Sequence, residues 1–265
     1  MKTFAFDIAF LGLLLAVAPA PAAVVTETVT YEQGGTKFKG FLAYDDAATG
    51  KRPGVLVVHE WWGLNDYAKS RARQLAEMGY VAFAADMYGD GVTAKDRKEA
   101  GALSSRVKSG NLLRPRARAA FEVLAKSERV DPKRIAAIGY CFGGTTALEL
   151  AYSGADLRGI VSFHGSLTLP KSGDRPRTKF LVLHGADDPF VSDKVVSGWD
   201  AAMRAGHYDW QLVKYSGAVH AFTNPAAGND NSQGAAYNEA AARRSWEHMK
   251  AFFAEIFEES KPREP

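Results

Sequence analysis

Short apolar runs alternate with amphipathic stretches along most of this chain, and that rhythm limits the fold more than any other feature. "GVLVVHE" (54–60) is apolar at almost every position. Such a run is the mark of a strand covered on both faces, because a strand with one wet face would alternate. "YVAFAAD" (80–86), "RIAAIG" (134–139), "GIVSFHG" (159–165), "TKFLVLHG" (178–185) and "WQLVKY" (210–215) continue the series. Helical stretches lie between them. "NDYAKSRARQLAEMG" (65–79) has Asn65 or Asp66 as N-cap and Gly79 as its stop. A second helix is expected over 115–128, starting at Pro115, with Ala119, Val123 and Leu124 on one side. "FGGTTALELAY" (142–152) and a segment near 191–205 supply two more. A terminal helix over 235–258 carries Trp246, Met249, Phe253 and Ile256 on one buried face. Residues 89–110 are polar and read as a loop with a short helix. At the start, 25–31 and 36–44 read as two strands joined by a "QGG" turn. Alternation of this kind implies an α/β fold: a mostly parallel central sheet with helices on both faces.

Composition narrows the class. The chain has 265 residues, 46% hydrophobic and 24% charged, which is a globular balance rather than a disordered one. Lys2, the apolar run from Ile8 to Val17 and the small residues "APAPAA" describe a secretory signal peptide over 1–22. The run is too short for a membrane span, which needs about 20 apolar residues. The expected mature protein is therefore 23–265, one periplasmic or secreted domain without stable membrane insertion. A net charge of +3, spread along the chain, excludes nucleic acid as a ligand class. The single cysteine rules out an internal disulfide. An odd thiol in an oxidising compartment is a liability, so it implies either a use or deep burial.

Ligands of parallel sheets gather beyond the carboxyl ends of the strands. His59, Glu60 and Trp61 follow the first buried run, Cys141 follows "AAIG", and His164 follows "IVSF". Asp187 and Asp188 follow "FLVLHG", and His220 follows the last run. Cys141 lies in a G-x-C-x-G stretch, between Gly139 and Gly143, where a strand gives way to a helix. Glycines on both sides let the chain bend sharply and lift the middle side chain to the top of the sheet. A sulfur there meets the positive end of a helix, which favours thiolate. Nucleophile, acid and histidine follow one another in the chain order of an α/β-hydrolase. Asp187 or Asp188 would orient the ring of His220, which would take and return the thiol proton. The amides of Phe142 and Trp61 are candidate oxyanion donors. His59, His164 and His184 show no metal-ligand spacing such as H-E-x-x-H, so neither metal nor cofactor is expected. Trp62, His164, Phe222 and Asn224 are candidate substrate contacts, with Trp61 and Phe142 as further pocket walls.

"HEWWGLN" (59–65), "ADMYG" (85–89), "GYCFGG" (139–144), "GADDPFV" (185–191) and "AVHAF" (218–222) resemble the dienelactone hydrolases, the cysteine branch of the α/β-hydrolases. The likeness spans roughly 35–256. It implies Cys141 as nucleophile, Asp188 as the acid and His220 as the base. It also implies that Glu60 helps to generate the thiolate once substrate binds. The substrate implied is a small ester or lactone, cleaved through an acyl-thioester without a cofactor. The same set would serve a thioesterase or a broad carboxylesterase. A binding protein on this scaffold would have no need of the nucleophile. One position departs from the pattern. Founding members carry an arginine four residues past the histidine, where this chain has Asn224, and a second arginine would fall near Arg97. An amide cannot replace a guanidinium fork for a carboxylate, so a carboxylated dienelactone is not the expected substrate.

Overall fold

The computed structural model describes residues 23–174 and 176–258; the expected signal segment 1–22 lies outside them. Strands β1 (Val24–Gln33) and β2 (Thr36–Asp45) form an antiparallel hairpin. Gly34 and Gly35 make its turn with φ of 57° and 73°, the double left-handed pair that suits a two-residue hairpin. Six more strands follow: β3 (Arg52–Val58), β4 (Val81–Ala85), β5 (Val130–Tyr140), β6 (Gly159–Phe163), β7 (Lys179–Gly185) and β8 (Trp210–Tyr215). Their order in the eight-stranded sheet is β1-β2-β4-β3-β5-β6-β7-β8. From β4 to β8 every pairing is parallel.

The apolar runs are apolar throughout because both faces are covered. On β3, Leu56 and Val58 join one core, while Val55 and Val57 join the other. Helices α1 (Asp66–Glu77) and α6 (Glu239–Glu258) pack on the second face. Helices α3 (Leu113–Ala125), α4 (Phe142–Tyr152) and α5 (Asp193–Ala205) pack on the first. Asn65, rather than Asp66, caps α1: its Oδ1 accepts from the Ala68 N–H at 3.2 Å. Among the described residues, no helix is long and apolar enough to cross a membrane.

Three sequence expectations need correction. The polar stretch 89–110 contains a full helix, α2 (Arg97–Ser109), capped by Asp96 accepting from the Glu99 N–H at 2.8 Å. Its exposed polar face hid the helical period. On α3 the buried face is Arg116, Ala117, Ala120, Phe121 and Leu124, with Ala119 and Val123 only partly buried. The register turns because Arg116 is drawn inward, donating to the Met87 carbonyl at 2.7 Å and stacking on Phe38. Helix α6 begins at Glu239, not 235, because the Asn238 side chain caps it by accepting from the Ala241 N–H at 3.0 Å. Residues 235–236 instead brace the loop bearing His220.

Phe253 is fully buried in the second core, whereas Trp246 lies only at its margin. We expect Phe253→Ala to cost about 3–5 kcal/mol in urea unfolding, and Trp246→Ala less than half of that. Equal losses would contradict this orientation of α6.

Candidate active site

The elbow is built by close backbone approach. A Cβ on Gly139 would lie 1.9 Å from the Gly143 carbonyl oxygen, and one on Gly143 would lie 2.2 Å from that of Val58. Only glycine allows α4 to press this tightly on β3 and β5. Between them Cys141 takes φ 53° and ψ −114°, a strained conformation for a residue with a side chain. The bend leaves its sulfur half-buried at the N-terminus of α4. Phe142 is the first residue of that helix, so its N–H has no partner within the helix.

Asp188 follows β7 and is buried, while Asp187 faces solvent. Asp188 Oδ2 lies 2.7 Å from His220 Nδ1, and Oδ1 accepts from the Phe190 N–H at 2.8 Å. His220 and Cys141 line the same cavity, close enough for the charge of one to act on the other. Burial opposes a charged ring at His220. The charge of Cys141, the Asp188 hydrogen bond and the Asp188 charge outweigh it and raise His220 to about 10. The backbone of His220 is pinned on both sides: its N–H donates to the Gly234 carbonyl at 3.1 Å, and its carbonyl accepts from the Ala236 N–H at 3.0 Å.

Glu60, in the loop after β3, is buried and accepts from Asn224 Nδ2 at 2.6 Å. Burial pushes its carboxyl up to about 7, against the Asn224 bond and the charges of His220 and Arg71. Beside it the Trp61 carbonyl accepts from the Tyr88 hydroxyl at 2.8 Å, which fixes that peptide plane. His59 is fully buried and held low, at about 4, by desolvation. Its Nε2 accepts from the Met87 N–H at 3.2 Å, and its Nδ1 donates to the Glu60 carbonyl. It braces the loop rather than facing a ligand.

A cavity of about 800 Å³ opens over these groups. Cys141, His220, Glu60 and Asn224 contribute to its lining, as do Trp61, Trp62, Phe142 and Phe190. Two expected contacts are absent from that lining. His164 and Phe222 are fully buried, with ring centroids 5.1 Å apart, and His164 lies 5.3 Å from the His220 ring. They stand behind His220 because the loop after β8 folds back over the end of β6. Phe190, 63% exposed yet 5.5 Å from His220, was missed. Its place two residues after Asp188 was the available signal. Arg97, near which the resemblance places a second arginine, and Lys108 of α2 also reach the cavity. A second cavity, about 560 Å³, lies at the opposite end of the sheet around Arg52 and Val81, and its lining contains neither cysteine nor histidine. Among the described residues, no three His, Cys, Asp or Glu side chains group as metal ligands.

This sheet order, with the elbow after β5 and the acid and histidine after β7 and β8, defines an α/β-hydrolase. The dienelactone hydrolase family model matches residues 38–257, and the chain belongs to that family. The solved structure named m3DLH is 42% identical with a TM-score of 0.85, covering 89% of this chain and 99% of its own. A dienelactone hydrolase-like promiscuous phosphotriesterase, P91 from metagenomic libraries, is also 42% identical with a TM-score of 0.84, over the same shares. Protein usf of Aquifex pyrophilus is 29% identical over 238 residues, 86% of this chain and 98% of its own. The protein is a dienelactone hydrolase-like hydrolase of carboxylic esters or lactones.

The Asp188 contact generates a direct test. In Asp188→Asn the ring loses a buried anion, so the titration midpoint of His220 should fall by at least about one unit. Histidine NMR across a pH series reads this, and an unmoved midpoint contradicts the assigned contact.

Proposed function

We propose that Cys141, His220 and Asp188 act as a catalytic triad on a small, uncharged ester or lactone. The observation that carries this reading is His220, bonded to Asp188 and sharing the wall of the aromatic cavity with Cys141. Cys141 attacks the carbonyl carbon, and the oxygen that gathers charge is held by the Phe142 and Trp61 amides. The tetrahedral species collapses, its leaving oxygen takes the proton of His220, and an acyl-thioester remains. His220 then accepts a proton from water as the water attacks, and Cys141 is released with the acid product. Glu60 takes part in forming the thiolate.

The end of the cavity beside Cys141 supports an uncharged substrate. Asn224 is committed twice, through Nδ2 to Glu60 and through Oδ1 to the Ala226 N–H at 3.0 Å. It offers a substrate carboxylate no free fork. A buried Glu60 that ionises around neutrality would also repel an anion beside Cys141. The aromatic walls beside Cys141 support a second reading drawn from P91, attack by Cys141 on a neutral phosphotriester.

Brief exposure to p-nitrophenyl acetate should add one acetyl group to Cys141, seen by intact mass and lost on turnover. Diethyl p-nitrophenyl phosphate should add a diethylphosphoryl group at the same residue if the second reading holds. Cys141→Ala should lose at least about a thousandfold in kcat; unchanged hydrolysis in this variant would falsify the triad.

Glu60 sets a second expectation. As pH rises through about 7 its carboxylate forms, so kcat/KM should rise over that range. Glu60→Gln should lack this rise, and persistence of an identical rise would assign it to another group.

A further inference from the structure

Two residues with side chains take left-handed backbone here, side by side at the ends of neighbouring strands: Cys141 at φ 53° and His164 at φ 41°. They touch. The Cys141 N–H is shared between the Phe163 carbonyl at 3.0 Å and His164 Nδ1 at 3.1 Å. On its far side, His164 Nε2 lies 2.7 Å from Thr223 Oγ1. A peptide N–H can only donate, so Nδ1 carries no proton. In a neutral ring Nε2 then carries it and donates to Thr223. Full burial keeps the ring neutral, reinforced by the positive charges of His220 and Arg71 and by His184.

Thr223 lies on the loop that presents His220 and Asn224. Its Oγ1 also accepts from the Tyr67 hydroxyl at 2.8 Å, and its carbonyl accepts from the Arg71 guanidinium at 3.0 Å. Arg71 is itself clasped by the rings of Tyr67 and Trp246. One imidazole therefore ties the peptide that carries the sulfur to the loop that carries the ring. Other backbone bonds join the loop to Asp187, through the Ala218 carbonyl, and to the segment 234–238, through His220 and Phe222.

We propose that His164 is a positioning residue for hydrolysis: its neutral, Nε2-protonated ring spans the Cys141 amide and the Thr223 hydroxyl and sets the approach of His220 to the nucleophile. This rests on the triad reading above. A misplacement of about 1 Å at a reacting pair costs on the order of a hundredfold in rate, which is the scale such a strut controls. A buried histidine that only fills space would affect stability and leave the kinetics alone.

The test uses the full protein and three variants. Thr223→Val keeps the shape and removes the side-chain bonds, leaving the carbonyl to accept from Tyr67 and Arg71. His164→Phe keeps a ring but removes both ends of the link. His164→Asn restores an acceptor for the Cys141 N–H and tolerates positive φ. With p-nitrophenyl acetate, we expect kcat in Thr223→Val and His164→Phe to fall about ten- to a hundredfold, with KM within about twofold. Partial recovery is expected in His164→Asn. The double variant should be no slower than His164→Phe, since both changes cut one link. The pH profile of Cys141 alkylation by iodoacetamide gives a readout that needs no turnover. Its midpoint should move upward in Thr223→Val as the imidazole loses register with the thiol. A wild-type kcat and alkylation profile in Thr223→Val, whatever its Tm, overturns the proposal, and so do fully multiplicative losses in the double variant. Failure of the triad reading would show separately, as hydrolysis surviving in Cys141→Ala, while the alkylation profile still decides the link.

Discussion

At Gly143 the first turn of α4 presses against the carbonyl oxygens of Val58 and His59. Nothing larger than a hydrogen fits between them. This contact sets the position of α4 over β3 and β5, and it forces the bend that leaves Cys141 in a left-handed conformation. Strain of that kind costs about 1–3 kcal/mol per residue. It persists because every residue of α4 is buried, so apolar contacts along the helix hold the bend shut. The partial burial of Cys141, its place at a helix N-terminus and the helix-end N–H of Phe142 all follow from that one close approach.

Buried imidazoles near the site are separated by their partners rather than by depth. His59 and His164 are fully buried, and desolvation dominates both, so they stay neutral. Each uses one nitrogen to accept a backbone N–H and the other to donate. His220 is nearly as deep, but it faces Asp188 and Cys141, whose negative charge favours its proton. Two neutral rings thus serve as rigid struts around one that can ionise. A third charge in the same space would weaken that distinction, which explains why Arg71 is held back among aromatic faces.

The carboxyl of Glu60 and the amide of Asn224 satisfy each other across 164 positions of sequence. Their pairing leaves a cavity whose walls are chiefly aromatic and whose cations, Arg97 and Lys108, come from exposed positions on α2. The likeness to m3DLH and P91, at 42% identity over nearly the whole of each, agrees with a shared scaffold.

Much of this architecture was legible in residue order. Continuous apolar runs marked strands buried on both sides, the "QGG" turn marked the hairpin, and the glycines around Cys141 marked the elbow. These are local signals, set by backbone sterics and periodicity within a few residues, so the sequence alone determined them. The α3 face and the burial of His164 and Phe222 behind His220 were not legible. Each depends on partners distant in sequence: Phe38 and Met87 for Arg116, Cys141 and Thr223 for His164. Only the assembled sheet brings those groups within hydrogen-bond reach. A polar side chain's direction follows the partner it finds there, since leaving it buried and unpaired would cost more than any local preference.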